Sequence, residues 1–269
     1  MAALAPNLRR IVALTLLSAL LAAPLGTVAG SALHLRQAQA FNLGGPADGL
    51  FQSTTNVTSS NWAGYAIKTA AGAVTDVRAS WQVPQIAKAC PSANRYSSFW
   101  VGIDGDGSKT VEQTGTETDC SSGSPVYFAW YEFYPAYPVT LGMTIHPTDL
   151  MHGEVKYSST TLKFTLTLKD VTTGHSFSIS KAVSTAKRSS AEWIAEAPYN
   201  AGVLPLTDFG WVTFTNASAT ISGHTHSISG FNNDAITMWN LAGTKIKASP
   251  GSLKNGGTQF RVNWKSSGP

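Results

Sequence analysis

The stretch that decides the fold is residues 99–115, which read FWVGIDGDGSKTVEQTG. The first five residues are aromatic, β-branched or small, a composition that predicts a strand. Residues 104–108 are Asp, Gly and Ser, which are typical of a turn, and residues 110–114 predict the returning strand. The sequence therefore predicts a β-hairpin at this point of the chain.

This hairpin would place an amide beside an aromatic and acidic face. Because side chains alternate along a strand, Trp100, Gly102 and Asp104 would share one face of the first strand. On the returning strand Gln113 would share a face with Val111. The presence of an amide in such a setting is the main clue to function.

The rest of the chain is a succession of short apolar or alternating segments separated by turns, without a convincing helical period. This pattern predicts an all-β fold, namely a sandwich of two large antiparallel sheets with one concave polar and aromatic face. The other predicted strands lie at or near residues 61–67, 74–83, 125–134, 162–168, 175–183, 190–198, 211–221, 235–240 and 259–264.

Composition narrows the class of protein. The chain has 269 residues, of which 43% are hydrophobic and only 13% charged, and this suits one large all-β domain or two small ones. Of the 19 Lys and Arg, three precede Phe41, which leaves 16 against 15 Asp and Glu. There is no basic run, so a nucleic-acid partner is not expected.

The first forty residues predict a secretion signal. Arg9 and Arg10 form a positive start, residues 11–23 an apolar core, and residues 38–40 a small-residue cleavage site, with residues 27–29 as an alternative. About 13 apolar residues are too few to span a bilayer, and no later run is longer. We therefore expect a secreted, extracellular protein with no membrane association after the signal is removed.

The domain organisation follows from this leader. Residues 1–40 are the signal, residues 41–55 a short linker or pro-segment, and residues 56–269 the folded domain.

The chain has two cysteines, Cys90 and Cys120, and an even pair in an exported protein predicts a disulfide. Closing a loop of about 30 residues should stabilise the fold by roughly 3 kcal/mol. A catalytic cysteine is the alternative, but no local signature supports it.

Several groups of side chains are candidates for chemistry. Glu192 and Glu196 would share one face of a strand, either as functional carboxylates or as charges that protect an edge strand from aggregation. Trp100, Trp130 and Tyr134 could line a groove for an extended ligand, or they could be ordinary core aromatics.

A metal site is a weaker possibility. His224 and His226 would share a strand face, but no third ligand has suitable spacing, so we expect no metal and a surface pair. The nucleophile elbow of α/β-hydrolases and the Asp-Thr-Gly or Asp-Ser-Gly of pepsin-like proteases are absent.

Taken together, four motifs resemble those of the glutamic peptidases of family G1, the eqolisins, in a bacterial-type form. They appear in the family's order and cover most of residues 59–200. The motifs are NWAG at 61–64, WVGIDGD at 100–106 followed by QTG at 113–115, WYEFYP at 130–135, and AEWIAE at 191–196.

The resemblance implies a β-sandwich of two seven-stranded antiparallel sheets, of the concanavalin A-like, lectin–glucanase type. It implies a catalytic dyad of Gln113 and Glu196 and no cofactor. The substrate-binding residues that it implies, less directly, are Trp100, Asp104, Trp130, Glu132 and Tyr134. Two departures from the fungal pattern are a turn one residue shorter before Gln113 and Glu117 in place of an Asp.

A Gln–Glu pair makes chemical sense for peptide-bond hydrolysis, which needs a base and a donor to the developing oxyanion. Glu196 would activate a water and return its proton to the leaving nitrogen, while the Gln113 amide would donate to the oxyanion. A carboxyl such as Glu196 titrates near 4.3 unless its surroundings shift it. Loss of activity in strong acid would then report its protonation.

The expected function is that of a secreted, monomeric acid endopeptidase that cleaves proteins or peptides and resists pepstatin. Two alternatives use the same aromatic groove. One is a carbohydrate-binding module, and the other is a sandwich-type glycosidase with Glu132 and Glu196 as its acid–base pair. The Gln113 amide favours the peptidase because neither alternative gives it a role.

Overall fold

The computed structural model describes residues 55–268, so the predicted secretion signal and most of the predicted linker lie outside the described residues. Within this range there are two three-residue 3-10 helices, Ile228–Gly230 and Asn255–Gly257, and no helix long and apolar enough to cross a membrane. The sixteen strands of the described part are β1 Thr55–Ser59, β2 Trp62–Lys68, β3 Val74–Gln82, β4 Ser98–Ile103, β5 Val111–Ser121, β6 Ser124–Tyr134, β7 Val139–Thr140, β8 Leu150–Ser158, β9 Lys163–Asp170, β10 Ser176–Lys181, β11 Ser190–Glu196, β12 Trp211–Ile221, β13 His224–Ser227, β14 Asp234–Trp239, β15 Ile246–Pro250 and β16 Phe260–Trp264.

Fourteen of the described strands form one hydrogen-bonded path that doubles back on itself as two sheets of seven. Sheet I has the order β14-β2-β11-β4-β5-β6-β7, and sheet II the order β15-β16-β12-β3-β8-β9-β10. Strand β14 pairs with β2 through its first residues and with β15 through Met238 and Trp239, so it joins the two sheets. Strand β1 pairs with β14, and β13 with β12. The predicted two-sheet sandwich is confirmed.

The main hydrophobic core lies between the two sheets. Strand β4 of sheet I contacts β3 and β8 of sheet II, although these strands are not hydrogen-bonded to one another. Val101 and Ile103 are fully buried in this core, on the face opposite to Trp100, as the strand alternation predicts. At Gly153 of β8 a Cβ atom would lie 3.0 Å from Val101 and 2.9 Å from the Trp81 ring, so this glycine permits the close approach of the sheets.

A second, smaller apolar cluster covers the other face of sheet I. It is separate from the core between the sheets, and Phe128 and Tyr134 pack against its edge. Its buried members are Val57, Trp62, Ala66, Trp100, Val111, Trp130, Ile194 and Ile236. Trp62, Trp100, Trp130 and Tyr134 of the sequence motifs therefore fall on the face that points away from sheet II, whereas Tyr131, Phe133 and Trp193 belong to the core between the sheets.

The structure lengthens one predicted strand and adds several that were not predicted. The returning strand of the hairpin extends to Ser121 rather than ending at residue 114, because it pairs with β6 over its whole length. Four strands were not predicted, namely β1, β7, β8 and β15. In β8, His152, Gly153 and Glu154 interrupt the apolar pattern. The remaining predicted segments coincide with strands to within a few residues.

The predicted disulfide is confirmed. Cys90 and Cys120 are bonded, with their Cα atoms 5.3 Å apart and a separation of 30 positions in sequence. The bond ties the segment before β4 to the end of β5, and Arg95 reinforces it by pairing its backbone with that of Cys120. The disulfide therefore fixes the two ends of the hairpin that carries Gln113.

Buried carboxyl groups are the main electrostatic feature of the sandwich. Glu112 on β5 is fully buried beside Ile103 and Phe133, which both belong to the core between the sheets. Burial, and secondarily the charge of Asp104, raises the pKa of Glu112 to about 9. Burial likewise raises the pKa of Glu196 to about 8, of Asp119 to about 7 and of Asp76 to about 6.

These shifts fix the direction in which stability changes with pH. A carboxyl whose pKa is raised on folding holds its proton in the native state after the unfolded chain has lost it. The native state then binds more protons than the unfolded state, so the free energy of unfolding decreases as pH rises. The decrease begins near the unfolded pKa, around 4.5, and continues to the folded pKa of each group. The protein should therefore be most stable in acid.

Replacement of Glu112 by Gln should remove part of this pH dependence. At pH 7 Glu112 contributes a destabilisation of about 3 kcal/mol relative to pH 3.5, because folding must protonate it. We expect the difference in unfolding free energy between pH 3.5 and pH 7 to shrink by about that amount, as measured by urea denaturation.

The matched control for this experiment is Asp208→Asn, which removes a carboxylate from the surface pair with Lys88. It should leave the difference between the two pH values nearly unchanged. If Glu112→Gln and wild type showed the same difference between pH 3.5 and pH 7, the assignment of Glu112 as a buried neutral acid would be wrong.

Candidate active site

The register of the strands places both residues of the predicted dyad on the outer face of sheet I. Gln113 pairs with Gly102 on one side and with Glu132 on the other. Glu196 pairs with Trp62 and with Ser98. Because Ser98 and Gly102 lie on the same face of β4, Gln113 and Glu196 share this face, with the row of Trp100 between them.

Trp100 connects the two rows of residues. Its indole Nε1 donates a hydrogen bond of 2.7 Å to Glu196 Oε2. The far end of the ring lies over Gly102, where a Cβ atom would be 2.9 Å from Trp100 Cζ3 and 3.3 Å from Gln113 Cβ. Any side chain at position 102 would therefore displace the indole. This steric conflict explains why the motif has a glycine there. The Trp100 ring spans the distance from Glu196 to the neighbourhood of Gln113.

Glu196 is buried among hydrogen-bond donors. Asn61 Nδ2 donates to Oε1 at 2.9 Å, and Ser59 Oγ in turn donates to Asn61 Oδ1 at 3.1 Å. Burial raises the pKa of Glu196 to about 8, and the hydrogen bonds from Trp100 and Asn61, together with the nearby indole of Trp62, offset only part of this effect. The surroundings therefore shift the pKa of Glu196 well above the 4.3 of a free carboxyl, so Glu196 is protonated throughout mild acid.

Gln113 is held by its neighbour on β6. Its amide Nε2 donates a hydrogen bond of 2.5 Å to Glu132 Oε2, while its Oε1 makes no hydrogen bond to any described residue. Burial raises the pKa of Glu132 well above its usual range, which the Gln113 amide partly opposes and Glu196 reinforces. Glu132 thus fixes the orientation of the amide and leaves its oxygen free to accept.

The aromatic residues predicted to bind substrate come together around the dyad. Trp62 and Trp100 meet edge to face, with ring centroids 5.2 Å apart. Trp130 is buried in the same cluster and its Nε1 has no partner in the described chain, while Tyr134 is half-buried at the edge. These side chains are thus packed as a cluster outside the core between the sheets.

Asp104 has a different position. Its carboxylate accepts hydrogen bonds from the backbone N–H groups of Arg188 and Ser189 at 2.7 and 2.9 Å. Its own backbone has a φ of 69°, in the left-handed region that few residues other than glycine adopt. Asp104 therefore anchors the chain that leads into β11, and its contact with substrate stays a prediction.

The other glutamate of the AEWIAE motif lies on the same face of β11. Glu192 is fully buried and accepts the backbone N–H of Asp106, which forms an ion pair of 3.0 Å with Lys68. Strand β11 is central in sheet I, between β2 and β4. The interpretation of Glu192 and Glu196 as protective charges on an edge strand is therefore wrong.

The histidine pair lies on sheet II, away from the dyad. The rings of His224 and His226 are stacked with their centroids 6.4 Å apart, and both side chains are exposed on β13. Within residues 55–268 no three His, Cys, Asp or Glu side chains are grouped so as to hold a metal ion.

Sequence reasoning assigned no role to two groups of residues at this site. Asn61 and Trp62 were recognised as a motif, but only the pairing of β2 with β11 reveals that they contact Glu196. Glu117 and Asp119 lie beyond the predicted end of the returning strand. In the structure they belong to β5 and share its face with Gln113. The unusual density of acids after Gln113 was the available signal.

Comparison with known proteins agrees with this site. The family model described as the Peptidase A4 family matches residues 60–258. Aspergillopepsin-2 of Aspergillus niger is 32% identical over 198 residues, which span 64% of this chain and 68% of that protein.

Solved structures show the same similarity. Scytalido-glutamic peptidase, solved with a peptide-based transition state analog, has a TM-score of 0.63 at 25% identity and covers 77% of this chain and 98% of its own. Aspergilloglutamic peptidase from Aspergillus niger has a TM-score of 0.56 at 29% identity and covers 64% and 99%. The family match extends over more than half of the chain and includes all four motifs, and we conclude that this protein belongs to the Peptidase A4 family of glutamic peptidases.

Proposed function

We propose that this chain is a secreted acid endopeptidase that hydrolyses peptide bonds with Gln113, Glu196 and a water molecule. The observation that carries the proposal is the shared face of sheet I, where Trp100 holds Glu196 and Glu132 holds Gln113. Family membership favours this function over a carbohydrate-binding module or a glycosidase.

The proposed substrates are proteins and peptides. A similar structure, scytalido-glutamic peptidase, was solved with a peptide-based transition state analog, which supports a peptide ligand for this chain also. The disulfide supports an oxidising compartment, and together with the predicted leader it favours export.

The protonation of Glu196 decides how the reaction can begin. With a pKa of about 8 the carboxyl is neutral in mild acid, so it starts the cycle as an acid rather than as a carboxylate. One of its oxygens carries the proton, and the other is still able to accept one. Asn61 and Trp100 hold the two oxygens in place through separate hydrogen bonds.

In the first step, water attacks the carbonyl carbon of the substrate. A proton of the water passes to the unprotonated oxygen of Glu196, while the Glu196 hydroxyl proton passes to the carbonyl oxygen. A neutral tetrahedral diol forms and Glu196 remains protonated. The Gln113 Nε2 group has two hydrogens, one for Glu132 and one for the oxygen that becomes a hydroxyl, and Gln113 Oε1 can orient the water.

In the second step, the bond from carbon to nitrogen breaks. The Glu196 hydroxyl donates its proton to the leaving nitrogen, while the other Glu196 oxygen takes a proton from one hydroxyl of the diol. The products are a carboxylic acid and an amine, and Glu196 is protonated as at the start. Gln113 does not titrate, so it serves at any pH.

Substitution of either dyad residue should abolish most proteolysis. We expect Gln113→Ala to lower kcat by about 10²–10³, the usual effect of losing one oxyanion donor, and Glu196→Gln to lower it at least as much, because it removes the proton donor and acceptor of both steps. The measurement is digestion of a denatured protein in acid, with circular dichroism to verify that the fold is retained.

The matched control is Glu192→Gln, which alters a buried carboxyl on the same face and in the same motif. This variant should retain activity within about tenfold of wild type, because Glu192 has no contact with the reacting atoms in the proposed mechanism. Loss of activity in Glu192→Gln combined with wild-type activity in Glu196→Gln would show that the wrong glutamate was assigned.

The pH profile tests the starting state of Glu196. We expect kcat/KM to be high in acid and to fall as pH rises toward about 8, where Glu196 loses its proton. Pepstatin and EDTA should have no effect. The profile should be measured in short assays, with residual activity checked after return to acid, so that unfolding is separated from ionisation.

Two outcomes would contradict this assignment. A rate that increased from pH 4 to pH 8 would mean that Glu196 begins as an ionised base. A neutral optimum abolished by EDTA would instead indicate a metal-dependent enzyme and would direct attention to His224 and His226.

A further inference from the structure

Two more carboxyl groups share the face of the dyad and have no part in the steps described. Glu117 on β5 pairs with Ser98, which pairs on its other side with Glu196, so the three residues form one row across three strands. Asp119 lies two positions further along β5 and therefore points to the same side as Glu117.

Both carboxyls are enclosed. Glu117 is 2% exposed and Asp119 4% exposed, and neither forms an ion pair with a Lys, Arg or His of the described chain. The backbone N–H of Ser97 donates to Asp119 Oδ1 at 2.9 Å. The disulfide at Cys120 fixes the adjoining end of the strand.

The surroundings of the pair contain few charges. The titratable group that faces the two carboxyls from another strand is Glu196. The guanidinium of Arg95, which precedes β4, is directed to the backbone carbonyl of Asn94. The other residues beside the pair are uncharged: Ser97 and Ser98 from the β4 side, and Val126 and Phe128 from β6.

Resting on the proposed role of Glu196, we propose that Glu117 and Asp119 share one proton and act as positioning residues that set the pH at which Glu196 ionises. Two neighbouring carboxyls that are buried without a cation cannot both carry charge at low cost. Glu117 keeps its proton and donates it in a hydrogen bond to Asp119, whose charge is further stabilised by the Ser97 N–H.

This arrangement has a direct effect on the dyad. In acid both carboxyls of the pair are protonated, as is Glu196; loss of one proton leaves the pair negative, with the remaining proton shared. Burial raises the pKa of Asp119 to about 7 and that of Glu196 to about 8, so the pair and Glu196 titrate in the same range and a charge on one opposes a charge on the other. The new charge opposes ionisation of Glu196 and retains its acid form to higher pH. The pair thereby extends the pH range of activity upward.

The test is the alkaline midpoint of kcat/KM in Asp119→Asn. Removing the charge should move this midpoint toward acid by about one pH unit, the effect of a single charge roughly 12 Å away, two strands across and two residues along, at an effective dielectric constant of about 20. The control Glu112→Gln removes a buried carboxyl from the opposite face of the same strand and should leave the midpoint unchanged. An unchanged midpoint in Asp119→Asn, or a lower rate at every pH without a shift, would overturn the proposal.

If Asp119→Asn does not fold, the shared proton can be tested on the wild-type protein by NMR. The side-chain carboxyl ¹³C shifts of Glu117 and Asp119 should titrate together, with one proton lost near pH 7 and the second retained well above it. Two independent titrations near 4 would refute the shared proton. This readout does not need activity, so it separates failure of this proposal from failure of the Gln113–Glu196 assignment.

Discussion

The hydrogen bond from Trp100 Nε1 to Glu196 Oε2 is the interaction on which the site depends. It requires the far end of the indole to lie over Gly102, and this is possible only because Gly102 has no side chain. The indole is itself fully buried beside the carboxyl, so the group that orients Glu196 also belongs to the surroundings that desolvate it. Position, orientation and protonation of Glu196 therefore follow from one packing arrangement.

Burial of acids connects the proposed chemistry of the site with the stability of the fold. A carboxyl excluded from water favours its neutral form, and this protein buries several of them on both faces of sheet I with few compensating cations. Below pH 4 these groups are mostly neutral in both the folded and the unfolded chain, so their burial lowers the free energy of unfolding only slightly. The composition of only 13% charged residues is consistent with a protein that relies on neutral acids rather than on ion pairs.

Sequence reasoning identified the all-β sandwich, the hairpin and its two faces, because strand alternation and turn residues are local properties. It located Gln113 and Glu196 through motifs and the disulfide through cysteine count. It did not find the contacts of Asn61 and Trp62 with Glu196, the anchoring role of Asp104, or the row of Glu117, Ser98 and Glu196. Each of these depends on which strands are neighbours and in which register, and neither property is local. The raised pKa of Glu196 could not be predicted either, because burial results from the whole fold.

The passage of β14 from sheet I to sheet II makes the two long sides of the sandwich unequal. On one side continuous hydrogen bonding joins the sheets, so they cannot separate there without breaking backbone pairs. The far ends of the path, β7 and β10, have no such link, and the stacked rings of Tyr131 and Phe177 hold the sheets together near them. The free energy needed for local opening is consequently lowest at that margin, and slow amide exchange should be concentrated at the opposite one.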